Sequence, residues 1–362
     1  MASQSLIDEL TTSCADVDLG RRAVILARLT NLFISGRAAY DEQQIALFDD
    51  VLIRLSEQVE IVARTRLSER LAAISDPPCG IIRTLAKDQN IAVALPVLTD
   101  CELDDDTLTE VASNGGQGHL QAIARRSSVS EPVTKILTER GNKAVLLSVI
   151  DNPGAQFCAS SYSYVVERSG GDPDLAARIW LRTDVPRHHL VRLFIEASDA
   201  ARIKLEGIDP KRGKVIREVV AGISREMQGK ARNDSRDHQA AVETIRALNS
   251  EGRLNNSALK EFARDNKFDE VAVALSMMCD LPIEVVERGL VQDRSEVIVV
   301  LARAAGLDWD ATRAILLMEA RSGAQSRQHL ELALGNFTKL TLSTAQKAIQ
   351  FYRMRARSGA IS

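Results

Sequence analysis

The amino-acid sequence predicts an all-α protein, an α-solenoid of short stacked helices with an N-terminal helical cap. Three observations lead there. Fragments such as TDVPRHHLVRLF (183–194) and CDLPIEVVERGL (279–290) share one frame of acid, aliphatic residue and proline ahead of a helical pattern. That frame recurs along the chain at a nearly constant interval. No run of alternating β-branched residues ends in Asn-Gly or Asp-Gly, so strand signals are nearly absent.

The frame is centred on Leu103, Val129, Ala155 and Val185, then on Leu254, Leu281, Leu307 and Leu340. Successive intervals are 26, 26 and 30 residues, then 69, then 27, 26 and 33. An apolar residue lies six positions before each centre and nine after it, with Thr138 the single polar exception. Asp104, Ser130, Asn255, Asp308 and Thr341 follow five of the centres. Their side-chain oxygens suit an N-cap, where they accept from the first unpaired amides of a helix. Pro186 and Pro282 follow two others and suit a helix start, where an amide would have no partner. Each frame therefore reads as the end of one helix, a tight turn and the start of the next. Helices of about ten residues are marginal alone and persist by stacking on neighbours.

In chain order, residues 1–75 read as longer amphipathic helices forming a bundle or cap, with RRAVILARLTNLFI (21–34) and DEQQIALFDDVLIRL (41–55) at helical spacing. DPPCG (76–80) breaks the pattern, and residues 76–200 read as a first repeat array. Residues 201–240 read as a basic linker helix. Its stripe is Val215, Ile216, Val219, Val220, Ile223 and Met227, and 202–236 carries ten Lys or Arg against five Asp or Glu. That excess fits either a face for an acidic partner or phosphate, or a solvated connecting helix. Residues 241–352 read as a second array and 353–362 as a flexible tail.

Composition narrows the function classes. With 45% hydrophobic and 26% charged residues and a net charge of −3, the whole chain carries no bias toward nucleic acid or membrane. Aromatic residues make up 4%, poor material for stacking bases or lining a ligand pocket. The five cysteines are scattered without a C-x-x-C, which suits thiols in a reducing compartment. No basic-then-apolar leader and no run of 18 apolar residues is present, so the expectation is a cytoplasmic protein that does not engage membranes.

Motifs for chemistry are weak. The glycine-rich SNGGQGHLQAIARR (113–126) has neither a preceding strand nor a following G-K-[ST], so it reads as a turn before a helix rather than a phosphate cradle. TDCELDDDTLTE (99–110) lacks the Gly and Glu of a calcium loop, and its acids suit a helix N-terminus. His188 and His189 point about 100° apart on a helix and would not share a metal. No H-E-x-x-H and no G-x-S-x-G occurs. No catalytic residue, cofactor or metal ligand is expected.

Several segments resemble an uncharacterised bacterial domain-of-unknown-function family. They include IIRTLAKDQNIAVALPVL (81–98), QGHLQAIARR (117–126), VTKILTERGNKAVLLSVIDNPGA (133–155) and LAARIWLRTDVPRHHLVRLF (175–194). The resemblance spans residues 40–200, fades through the gap and returns after 240. It rests on Gln117, His119, Leu120, Ala122, Ile123, Arg126, Gly141 and Asn152. It implies HEAT-like α-helical repeats and no particular activity. The functional expectation is a non-enzymatic scaffold or adaptor for a protein or peptide partner in bacterial signalling or regulation. Nucleic-acid binding through 202–236 is the alternative. The residues expected on the binding surface are His119, Arg125, Arg126, His188, His189, Lys211, Arg212 and Lys214.

Overall fold

The computed structural model describes residues 19–170, 172–208, 210–292, 295–318 and 327–357. Residues 1–18 of the expected cap, Cys14 and the final residues 358–362 lie outside that range. Among the described residues the chain is all-helical, with twenty-one α-helices and no strand. None of these helices is long and apolar enough to cross a membrane. The chain divides into two compact units, with the division between Ser161 and Tyr162, whereas the sequence placed breaks near 75, 200 and 240.

The first unit opens with α1 (Leu19–Gly36), α2 (Glu42–Ser56) and α3 (Ile61–Ala72). Phe33, Leu52 and Leu71 are wholly enclosed at their centre. Then follow α4 (Cys79–Ala86), α5 (Ile91–Asp100), α6 (Asp105–Asn114), α7 (Gln117–Ala124), α8 (Glu131–Arg140) and α9 (Lys143–Asp151). Here several helices pack chiefly on the helix two places along, α3 on α5, α5 on α7, α6 on α8 and α7 on α9, while α4 packs equally on α2 and on α5. DPPCG lies at the break between α3 and α4. Pro78 gives α4 no side-chain cap. Asp49 of α2 supplies one instead, accepting from Gly80 N at 2.8 Å and Ile81 N at 2.6 Å. A β-carbon on Gly80 would lie 2.4 Å from Asp49 Oδ2, so this cap requires glycine.

The repeat centres all fall in turns between helices. Val129 and Ala155, one interval apart, form an isolated parallel bridge, with Gln156 N donating to Val129 O at 2.9 Å. Asp104, Asn255, Asp308 and Thr341 accept bonds from the first turns they precede. Ser130 makes no such bond. Thr138, the polar exception, is fully buried and donates its hydroxyl to Lys135 O at 2.8 Å.

The boundary between the units falls within α10 (Ala159–Ser169). The second unit continues with α11 (Pro173–Leu181), α12 (Arg187–Ile208) and α13 (Gly213–Asn233). It ends with α14 (Arg236–Ser250), α15 (Asn256–Arg264), α16 (Phe268–Cys279), α17 (Ile283–Val291), α18 (Ser295–Ala304), α19 (Trp309–Leu316), α20 (Arg327–Lys339) and α21 (Leu342–Arg357). Residues 201–240 are therefore not one linker helix. They comprise the end of α12, a single-turn 3-10 helix (Pro210–Arg212), all of α13 and the start of α14. The two long helices pack on each other as a hairpin. The expected tail is helical as far as Arg357.

Candidate functional site

The hairpin of α12 and α13 is fastened at its base by buried charge. Arg187 opens α12 and Arg232 sits in the last turn of α13, so both stand at the end away from the hairpin turn. Arg187 forms ion pairs with Asp269 of α16 and Glu287 of α17. Arg232 bonds Glu284 at 2.8 Å and Glu287 at 3.4 Å. His238 of α14 places Nδ1 at 3.1 Å from Asp269 Oδ1. Glu287 is 0% exposed, so one enclosed carboxylate is shared by two guanidinium groups. Such a group tolerates burial only while its partners are present. Burial opposes the charge of Asp269, but the His238 hydrogen bond and the Arg187 guanidinium outweigh it and hold the carboxyl below its ordinary range.

His238, Asp269 and Glu287 bring potential metal-ligand atoms within 4.8 Å of one another. Those atoms are already engaged by Arg187 and Arg232. A cation there would meet two fixed positive charges at contact range, so the arrangement fits an ion-pair network rather than a metal site.

Next to this network the hairpin forms one wall of a cleft of about 740 Å³, the other wall coming from α17, α18 and α21. Leu281, Val285, Val297, Val300 and Ile349 provide apolar lining. Glu284 links the cleft to the network, since it also holds Arg232. Four arginines reach the cleft: Arg202, Arg217, Arg225 and Arg288. Arg202 and Arg288 share Asp199, at 3.3 Å and 3.8 Å. Arg217 is 3.3 Å from Glu206. Among the described residues Arg225 bonds only the carbonyl of Ala221, in its own helix, at 3.2 Å. The cleft thus combines a partly apolar lining with a guanidinium that has no acidic partner among the described residues. A second cleft of about 670 Å³ has Trp180, Phe194 and Arg187 among its lining residues.

Several residues expected at the binding surface lie elsewhere. His119 is buried, and its Nε2 is 2.9 Å from the carbonyl of Asp88. Arg126 donates to the carbonyls of Leu98 and Cys101. These oxygens lie at or just past helix C-termini, where carbonyls lack intrahelical partners. His189 is buried and His188 largely so, and among the described residues neither Nε2 has a hydrogen-bond partner. Burial pushes the His188 imidazole down to about 4 and that of His189 to about 2. His119 and His189 are thus enclosed, and Arg126 is tied to backbone carbonyls. Arg125 is exposed in the first unit, and Lys211, Arg212 and Lys214 are exposed around the hairpin turn.

The acids of the network escaped the sequence reading, although a signal exists. In IEVVERGLV (283–291), Glu287 lies one helical turn after Ile283 and next to Val286 and Leu290 on the apolar stripe. A charged residue on such a stripe calls for a buried partner.

No curated protein and no solved structure matches the chain. A family pattern does match, over residues 93–350. That span includes the 201–240 segment, where the resemblance faded, and omits 40–92, which the resemblance included. The match covers well over half of the sequence, and the chain belongs to the family described as an uncharacterised protein conserved in bacteria (DUF2336).

Proposed function

We propose that the chain is a non-enzymatic scaffold or adaptor, built from HEAT-like repeats arranged as a solenoid, that holds a peptide segment of a partner protein. The observation that carries this reading is the 740 Å³ cleft beside the hairpin, lined in part by Leu281, Val285, Val297, Val300 and Ile349 and reached by Arg225, which has no acidic partner among the described residues. An amphipathic helix with acidic residues beside its apolar face suits such a cleft. Its apolar side chains would leave water and its carboxylates would meet guanidinium groups. The packing of α3 on α5, α5 on α7, α6 on α8 and α7 on α9 supports the repeat reading. The expected setting is the bacterial cytoplasm.

Nucleic-acid binding is the second reading, favoured by the exposed cations Lys211, Arg212 and Lys214. Against it, Arg202, Arg217, Lys230 and Arg232 of the basic segment are already paired with acids.

Affinity capture of tagged protein from the source cells, with and without nuclease, tests both readings. The arms are the unaltered chain, a cleft-filling Ala221→Trp variant and a Lys211→Ala/Lys214→Ala variant. A stoichiometric protein that survives nuclease and is lost with Ala221→Trp supports the adaptor. Loss of every partner on nuclease treatment, or with the lysine variant alone, replaces it with nucleic-acid binding.

A further inference from the structure

We propose that α13 pairs with α13 of a second copy of this chain, antiparallel and crossing near Gly222, through the helix face turned away from the cleft. Arg217, Ala221, Ser224, Arg225 and Gln228 occupy the cleft side. Val215, Val219, Ile223 and Met227 occupy another face and are 57%, 53%, 55% and 48% exposed. Their spacing of four residues makes one continuous ridge along the helix, the element that seats in a neighbouring helix's groove.

The groove lies beside the ridge on the same helix. Gly222 and Gly229 are seven residues apart, which places them on nearly one line along the helix. Glycine within a helix weakens it. Yet a β-carbon added at either position meets nothing within 4 Å, so packing within the chain gives no reason for glycine there. A second helix laid against this face gives one, since absent side chains let its ridge approach closely. An interface about a two-fold axis uses the same patch on both copies and must be self-complementary. A ridge and an adjacent groove on one surface meet that condition, which a partner offering only an apolar face does not require.

The extent of the face fits as well. The helix has 21 residues and so runs for about 30 Å. Because α13 packs alongside α12, the face belongs to a hairpin about 20 Å wide, with a flat footprint of roughly 600 Å². A stable pair needs roughly 800 Å² of accessible surface per partner, and accessible surface exceeds its flat projection.

Sedimentation equilibrium on the full chain tests the proposal. The expected mass is twice that of the 39.6 kDa chain. Val219→Glu/Ile223→Glu alters exposed positions, so far-UV circular dichroism should stay unchanged while association weakens by at least about a hundredfold, each charge entering the interface twice. Leu332→Glu, at an exposed position of α20, should leave the dimer intact. Gly222→Cys, in a Cys79→Ser background, should form an intermolecular disulfide on mild oxidation that the background alone does not form. A monomeric native chain overturns the proposal. So does a dimer insensitive to Val219→Glu/Ile223→Glu, or a Gly222→Cys chain that does not cross-link. A dimer broken by Ala221→Trp but not by Val219→Glu/Ile223→Glu would place the contact in the cleft and overturn this face.

Discussion

The two units solve one problem by different chemistry. In the first, polar side chains reach about one repeat interval along the chain to backbone groups at helix ends. Arg126 bonds the carbonyl of Cys101 at 3.0 Å, and Asn152 bonds those of Ala124 at 3.0 Å and Arg126 at 2.7 Å. Gln117 donates to Arg140 O at 3.0 Å and accepts from Asn142 N at 2.7 Å. Most of these bonds stand apart from one another, joining neighbouring turns. In the second unit the hairpin base depends on one network in which Glu287 serves both Arg187 and Arg232. Distributed ties fail singly and nearly additively, whereas members of a shared network fail together.

The sharpest way to break that contrast is at Glu287. Removing its carboxylate leaves two guanidinium groups at the hairpin base without their shared acid, and losing one partner of a buried ion pair costs about 3–5 kcal/mol. Glu287→Ala should lower the denaturation midpoint by that equivalent. Arg187→Met/Arg232→Met/Glu287→Leu should recover part of the loss, because both guanidinium groups leave with their shared acid while Asp269 keeps its contact with His238. If the triple variant is no better than Glu287→Ala, packing rather than charge holds the hairpin base.

Acid separates the units by another route. His188 and His189 are enclosed in the second unit with imidazoles lowered to about 4 and about 2. Both lie below the ordinary value of about 6.5. Between pH 6.5 and pH 4 the unfolded chain takes up protons that the folded chain does not, so stability falls as pH falls. Each tenfold difference in proton affinity is worth about 1.4 kcal/mol, so the loss by pH 4 is about 3 kcal/mol for each histidine. Urea unfolding of the unaltered chain and of His189→Leu at pH 7 and pH 4.5 checks this. The variant should lose less stability between the two pH values. An equal loss would place the acid sensitivity elsewhere.

The first unit should respond in smaller, separate steps. Asn152→Ala strips two carbonyls of their donor, and Asp49→Ala strips α4 of its cap. Each should cost about 1–2 kcal/mol. Their side chains serve different turns, so the double variant should approach the sum. A double loss far from the sum would mean that the first unit is also coupled as a network.

How much of this was legible beforehand follows from range along the chain. Helix starts at Asp104, Asn255 and Asp308 are set within three or four residues, and the sequence located them. The 26-residue interval marked Val129 and Ala155 as successive repeat centres, and the structure joins them in a bridge. Which polar residue is buried depends on distant pairing. Arg187 meets Glu287 across 100 residues, and His119 meets Asp88 across 31. No local pattern distinguishes such a residue from a solvated one. Hence His119, Arg126 and His189 were expected on a surface, while Asp269 and Glu287 went unmarked. The single linker helix expected over 201–240 gave way to a hairpin for a related reason. Its charge excess was real, but Gly213 restarts the chain as a second long helix that folds back on the first, and partners such as Glu284 and Glu206 are visible only once it does.

The smallest expected change addresses the glycines of α13. Gly222→Ala adds a methyl group to a helix interior where nothing lies within 4 Å. Alanine there should raise the stability of the isolated chain by about 0.5–1 kcal/mol, through better helix propensity and a less disordered unfolded state. The same methyl group would hold a second helix further away. A chain made more stable but less associated by Gly222→Ala means that the glycine serves the contact between copies, and that helix stability is given up for it. A chain made more stable with unchanged association confines the glycine's effect to its own helix, and self-pairing would then need a crossing point elsewhere on the Val215–Met227 ridge.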